Sequence, residues 1–589
     1  MTSTGSYWQR FTSARLGRRR ALGIGLAGLA GVGALSLVGC GGSDGEGTKS
    51  APKLTMFTSN SEEGPVKRGG TWSWGYNAEP ATLDPYAQTA SAVYTVLYAT
   101  MSKLVQVALG PGKDPANFEV AGDAAKSWEI SPDLLTYTFK LNPAMKFHNI
   151  APVNGRQVDS GDVKLSWQRL EKHAFYGTFF GFTKPAISTP DPSTVVFKLS
   201  SPDVAFMAAL IEPRASMIMA KESDGGYDAR DKAIGSGPWI LANRVPSSNI
   251  DYKRNPDWIE QNVPYMDGMT GHLISEPSVM LSQFQAKNLP SYTPEDPENL
   301  VDLLRENPTL RIVEGLRTLG SGGVGFERRD PGGPGPFTKD KRLRQALSMM
   351  IDRDAVYTAL GGLDAWKKLG VQLPIVLDNF VAAAFQKYWT DPRGKEMGDS
   401  AKFFAYDVAE AKKLLAAANY PSDYAPDFHF AASFQSDKYR SAAQVVANML
   451  QEGGIKVKPY ADDYNLEYQA KSQIGENTGL LFTNLSSGSS DASGNLDELF
   501  APAGRRNQLK VDDPMYNDLA AKARTTVDEK ERRKIFIELQ RYLGNEMRWT
   551  PVSFGTPPVT AFWPHVKNNG TYRGGTHYSR ESHFWLDKA

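Results

Sequence analysis

Cysteine is almost missing: the chain of 589 residues holds one, Cys40. A single thiol cannot close a disulfide within the chain or build a Cys-rich zinc framework, so stability has to come from packing. An excess of charge of one sign is missing too. Lys+Arg number 66 against 65 Asp+Glu, a formal net charge of +1, which offers no footprint for nucleic acid or an anionic surface. Histidine is scarce, 7 in all, with no H-x-x-x-H pair; His577 and His583 come nearest to a cluster, and no metal site is expected. The chain also lacks H-E-x-x-H, a Cys–His pair and a nucleophile elbow in a strand-to-helix setting, so no catalytic residues are expected and the chain does not read as an enzyme.

Long apolar runs are confined to one place. Ala21 to Gly39 is uncharged, mostly Ala, Gly, Leu and Val, and follows Arg18-Arg19-Arg20. Gly23, Gly25 and Gly28 spell G-x-G-x-x-G, but no buried strand precedes them and the first acid is Asp44, so a dinucleotide site is excluded. A basic flank, an apolar run and small residues describe an export signal. The length also suits a membrane span, against which the glycine content argues. Leu37-Val38-Gly39-Cys40 resembles the bacterial lipobox, which makes Cys40 the lipidation site of a lipoprotein. Arg19-Arg20-Ala21-Leu22 resembles a twin-arginine signal. Removing residues 1–39 takes away five arginines and no acid, leaving 61 Lys+Arg against 65 Asp+Glu and a net charge of −4. The expected product is a body outside the cytoplasmic membrane, held by lipid through a polar Gly/Ser-rich tether. Gly41, Ser43 and Gly45 match G-x-S-x-G, but a flexible tether supplies no strand-to-helix turn.

The body alternates strand and helix signals. Gly69 to Tyr76, "GGTWSWGY", reads as a strand, and Ser91 to Val107 has helical spacing at Val93, Val96, Leu97 and Met101. Trp128–Ile130 and Thr136–Leu141 read as strands around Ser131-Pro132-Asp133. Asp159 or Ser160 caps a helix carrying Val163, Trp167 and Leu170 on one face. Lys339 to Leu360 reads as one amphipathic helix, although Asp352-Arg353-Asp354 looks like a helix end. A helix capped by Asp407, a helix and strand over Lys438 to Tyr460, and a long helix from Asp528 followed by a strand complete the pattern. The whole is a mixed α/β protein with several lobes.

Several short blocks then become recognisable. They include Leu83-Asp84-Pro85, Ala125 to Phe139 ("AKSWEISPDLLTYTF"), Lys146-Phe147-His148-Asn149, Gly235 to Trp239 ("GSGPW"), Asn255 to Trp258 ("NPDW"), Leu343 to Asp354 ("LRQALSMMIDRD") and Ala409 to Ala417 ("AEAKKLLAA"). In this order they resemble the family 5 extracellular solute-binding proteins of ABC importers, the oligopeptide, dipeptide and nickel group. The resemblance implies an α/β, bilobal, periplasmic-binding-protein-like fold with mixed sheets, two large lobes joined by two hinge crossings, and a small subdomain inserted in lobe I. Mapped here, 1–39 is the signal peptide and 40–65 the lipidated Cys and flexible tether. Lobe I is 66–105, 232–315 and 546–589, the insert 106–231, and lobe II 316–545.

By the same resemblance the function is capture of a peptide or peptide-like solute between the lobes and delivery to an ABC permease with its ATPase subunits. The protein would be a membrane-anchored monomer without a cofactor, on the periplasmic side or the cell surface. Peptide binders anchor the ligand's amino terminus with an aspartate in a "W-x-x-D-Y" segment. Here "LLFTNLSSGSSD", Leu480 to Asp491, puts Phe482 at the Trp place and Leu485 at the Asp place. Asp491 is a substitute only through a longer loop. The candidate cleft residues are Tyr76, Asn77 and Glu79, Phe326 after the glycine-rich Leu319 to Phe326, then Phe482, Asn484 and Ser486, and Phe554. A sugar, a metal chelate or a sensing role stays open on these residues.

Overall fold

The computed structural model describes residues 56–587 apart from 89–90, 295, 318, 327–334, 433–436, 470, 473–475, 477, 486–489, 503, 505–506, 508, 510–511, 554 and 574–577. The stretch expected to be an export signal and Cys40 lie outside the described residues. No helix among the described residues is long and apolar enough to cross a membrane.

The first lobe has two sheets. In one, Thr71–Tyr76 runs parallel to Gly268–Leu273, followed by antiparallel Asn249–Arg254 and Trp239–Val245. In the other, Val559–Phe562 is central between Ser291–Tyr292 and Arg311–Glu314. The chain joins this lobe earlier than its composition suggests. Met56 bridges to Ile312, the Phe57 amide donates to the Ile312 carbonyl at 2.7 Å, and Glu63 pairs with Arg311 at 2.8 Å. The flexible tether expected over 40–65 is therefore corrected: residues 56–65 are docked, because Phe57 lies under the Arg311 guanidinium at 4.5 Å and Glu63 neutralises that cation.

The insert is an antiparallel sheet ordered Ala125–Ile130, Thr136–Leu141, Thr194–Lys198, Ala186–Asp191, covered by the helix Ser160–Leu170. Asp159 caps that helix through the amides of Gly161 and Asp162, and Asp162 returns the bond to the Asp159 amide, satisfying donors that an uncapped first turn leaves open. Val163, Trp167 and Leu170 recur at helical spacing and are buried. The Trp167 ring lies 4.7 Å from both Phe180 and Phe197, so this stripe welds helix to sheet.

The second lobe is built on a mixed sheet ordered Lys458–Asp462, Asp427–Ala431, Leu480–Leu485, Ser321–Phe326, Trp549–Val552. Trp549–Val552 belongs to this sheet, paired with Gly322–Gly325, so the boundary expected at 545/546 moves past Val552. Two features permit it. A Cβ on Gly323 would sit 2.4 Å from the Thr550 carbonyl oxygen and 2.6 Å from the Trp549 ring, so only glycine leaves room for the indole. Pro551 is tolerated because the strand is at the sheet edge; its carbonyl accepts from Arg353 Nε at 2.9 Å.

Two expected helices are shorter than their patterns. Ser91 to Val107 becomes the helix Ser91–Leu97 and the strand Val105–Val107, which pairs with Val120–Gly122. Lys339 to Leu360 breaks into Lys341–Met349 and Arg353–Gly361, with Asp352 capping the second through the Ala355 amide. Arg353 explains the break: its buried guanidinium donates to Ser348 O and Oγ and to Phe404 O. The helix Leu363–Lys368, within the range assigned to lobe II, places Trp366 in one cluster with Leu300, Leu304 and Val559 of the first lobe.

Candidate solute-binding cleft

Two short segments carry the chain between the lobes. One links Arg311–Glu314 to Ser321–Phe326; the other links Trp549–Val552 to Val559–Phe562. They are tied together where the Gly315 amide donates to the Pro558 carbonyl at 2.8 Å. In the second crossing Gly555 has φ +102°, and a Cβ there would meet the Gly361 Cα at 2.6 Å, so this contact requires glycine.

Register fixes which end of the second-lobe sheet faces the crossings. Ser321 pairs with Leu485 and Gly322 with Asn484 and Val552, while the parallel neighbour ends at Ala431. Ala431, Leu485, Val552 and Ser321 thus share one end of the sheet. Asn484 lies at that end in register; Ser486 and Phe554 follow it in the chain and lie outside the described residues.

The two aromatic candidates on this sheet lie elsewhere, which corrects the expectation for them. Phe326 pairs with Leu480 at the far end and is fully buried, its ring stacked on Phe337 at 5.6 Å. Phe482 pairs with Val324 in mid-strand, fully buried between Phe428 and Tyr439. Both rings belong to the lobe core. In the first lobe Tyr76 is buried against Trp74, the ring centroids 5.4 Å apart, and burial with the nearby Glu79 charge raises its phenol. Asn77 is exposed beyond the strand. Glu79 pairs with Arg244 at 3.3 Å and accepts from the Ser247 amide at 3.1 Å, which fastens it to its own lobe's hairpin.

The substitute anchor Asp491 is also committed. It caps the helix Ala492–Phe500 through the Ser493 amide and is gripped by Arg532 at 2.8 and 2.9 Å. Burial alone would raise its carboxyl, but the Arg532 charge and hydrogen bonds hold it below the ordinary value. Among the histidines, His148 is buried with Nε2 on the Gly237 carbonyl at 3.0 Å, and His583 stacks on Tyr572 and faces Glu260. His577 lies outside the described residues. No group of three or more His, Cys, Asp and Glu among the described residues could hold a metal ion.

Where both crossings, the insert and the second lobe meet, there is a cavity of about 230 Å³. Leu316 and Arg317 of the first crossing, Pro557 of the second, Phe118 of the insert, Gln386 of the second lobe and Arg573 of the first contribute to its wall. Arg573 faces Asp114 at 3.7 Å. Arg317 is half-buried, and among the described residues its guanidinium has only a long contact to the Tyr357 hydroxyl, at 3.5 Å. Near it stands Asp378, whose carboxylate accepts from the Ala383 amide at 2.9 Å and whose amide donates to Ser553 Oγ of the second crossing at 2.5 Å. Burial pushes the Asp378 carboxyl up to about 6, against the pull of the Ala383 bond and the Arg317 charge. Sequence reasoning passed over both residues. The signal available was a basic residue, Arg317, two positions before the glycine-rich Leu319 to Phe326.

A polar cavity at the junction of two lobes and two crossings is the arrangement of a two-lobed binding protein. The comparisons agree with that class. The family model of bacterial extracellular solute-binding proteins, family 5 Middle, matches residues 119–507. The di/tripeptide-binding protein 2 of Pseudomonas aeruginosa is 24% identical over 463 residues, 74% of this chain and 82% of that protein. The glutathione-binding protein GsiB of Salmonella paratyphi A is 26% identical over 506 residues, 82% of this chain and 90% of that one. The structure of the periplasmic binding protein DppA from Helicobacter pylori with peptide STSA superposes with a TM-score of 0.69 at 20% identity, covering 89% of this chain and 99% of that one. The chain belongs to the family 5 extracellular solute-binding proteins.

Proposed function

We propose that this chain is the solute receptor of an ABC importer. It captures a peptide or peptide-like zwitterion between its lobes and presents it to a membrane permease with its ATPase subunits, tethered by lipid on Cys40. The observation that carries the solute class is Arg317 in the cavity wall with the buried Asp378 carboxylate near it. A guanidinium held, among the described residues, by no more than a long hydroxyl contact suits a solute carboxylate, and a carboxylate whose charge is disfavoured by burial gains from a solute ammonium. Asn77, just beyond its strand, and Asn484, near the end of its strand, are carried forward as further candidate contacts. Only a solute that touches both lobes favours the closed arrangement, and this cavity has walls from both. Relatives that bind di- and tripeptides or glutathione support the reading.

The test is ligand-induced thermal stabilisation with tri-alanine, its C-terminal amide and its N-acetyl form. Saturation at about a hundred times Kd stabilises a protein by about 2.7 kcal/mol. Tri-alanine is expected to stabilise most, and Arg317→Gln is expected to erase the difference between acid and amide. Stabilisation by a sugar panel with no response to any peptide would overturn the proposed solute class.

A further inference from the structure

A second cavity lies away from the crossings. It measures about 610 Å³ and lies between the insert and the second lobe. One wall carries Phe179, Phe182 and Asp203 of the insert; the other carries Asp497, Ala501 and Arg524 of the second lobe. At its edge the two bodies are joined by a buried ion pair, Arg524 Nη1 to Asp203 Oδ2 at 2.5 Å, with side-chain exposures of 7% and 6%.

Each partner is fixed on its own side. Asp203 is held in the insert by the Ala205 amide on its carboxylate at 2.9 Å and by the Tyr137 hydroxyl on its carbonyl at 2.7 Å. Arg524 is held in the second lobe by Asp497, which accepts from its Nε at 2.8 Å, and Asp497 is itself oriented by the Tyr516 hydroxyl at 2.6 Å. Two further contacts bridge the gap. The Val204 amide donates to the Arg524 carbonyl at 2.9 Å, and the Phe182 ring lies 4.3 Å from the guanidinium carbon. Phe182 is otherwise 44% exposed, so its face shields the pair from water on one side only.

This arrangement is more than core packing. Tyr137 and Phe206 belong to the insert's hydrophobic cluster, while Tyr516, Leu519 and Ala523 belong to the second lobe's. A part-open cavity lies beside the contact in place of packed apolar side chains. The contact is therefore polar and directional, and it is lost whole if the bodies separate by a few ångströms.

We propose that Arg524 and Asp203, with the Val204 amide, form a latch that holds the insert against the second lobe without any solute. The insert and the second lobe then part by breaking this bridge together with the contact of Phe118 on Phe385, whose ring centroids lie 6.1 Å apart. Solute affinity is set jointly by the cleft and the latch, because a ligand only needs to supply the remaining difference between the open and closed states. The inference does not depend on which solute binds.

Hydrogen exchange of the solute-free full chain tests it, comparing wild type with Asp203→Asn, Arg524→Gln, the double variant and Arg524→Lys. The latch predicts that exchange rises by about tenfold or more, the range of close charge pairs across interfaces. The rise should appear together at Val204 and its flanking insert segment and along the helix Ala492–Phe500, with the insert's core strand Thr194–Lys198 unchanged. The double variant should match the single ones, because one bridge cannot be lost twice, and Arg524→Lys should fall between. Unchanged exchange on both faces overturns the proposal. So does a rise confined to one face, additive effects of the two substitutions, or loss of protection in Thr194–Lys198 in every variant, which would mark a folding pair instead.

Discussion

Replacing Asp491 by Asn separates two roles for that residue. If Asp491 anchors the solute's amino terminus, the change should weaken binding and leave the fold alone. The structure assigns it differently. Its carboxylate takes both terminal nitrogens of Arg532 and caps a helix, while Arg532 Nε donates to the Ala523 carbonyl and the guanidinium lies over Tyr388 at 4.8 Å. The Arg532 side chain is 5% exposed, so Asn at 491 leaves a buried cation without its counter-charge. Breaking a buried pair by removing one partner costs about 3–5 kcal/mol; Asn preserves the cap, so nothing is added for its loss. Urea unfolding of wild type and D491N at pH 7 should therefore show a difference of that size at similar slope. The solute retained by the purified protein should be the same in both. A stability loss under about 1 kcal/mol together with loss of the solute would refute this assignment and restore Asp491 as an anchor.

Stability should fall on acidification partly through His148. Burial lowers this imidazole to about 4, below the ordinary 6.5, in spite of its bond to the Gly237 carbonyl. Because the folded value is the lower one, this contribution is whole above the unfolded value and is lost as pH falls toward 4, by about 3 kcal/mol at most. The difference between wild type and His148→Asn, measured in urea at pH 7 and pH 4.5, should shrink accordingly; a constant difference would contradict it. Gly323→Ala should cost about 1–3 kcal/mol by overpacking against Trp549 and Thr550, measured by the same unfolding, and a neutral effect would show that the edge strand shifts freely.

The scaffold was legible where short-range chemistry decides structure. Asp159, Asp407 and Asp528 cap the helices that follow them, and the aromatic alternation of Thr71–Tyr76 is a strand. The Lys339 to Leu360 pattern misled because its apolar spacing continues through a break set by Arg353, whose partners Pro551 and Phe404 are distant in sequence. Trp549–Val552 was placed in the wrong lobe for a similar reason: its partner glycines on Ser321–Phe326 lie far away in the chain. The site was least legible. Phe326 and Phe482 carry the composition of a ligand wall, yet strand parity and register turn both into the core. Arg317 and Asp378 come together only through the fold.

Native mass spectrometry of the body spanning residues 41–589, purified without added solute, tests the central claim most directly. A binding protein of this class that closes on a peptide-like zwitterion should carry a series of short-peptide masses, released on gentle activation and lost in Arg317→Gln. A single non-peptide mass, such as a sugar, that persists in Arg317→Gln would contradict both the solute class and the place assigned to it.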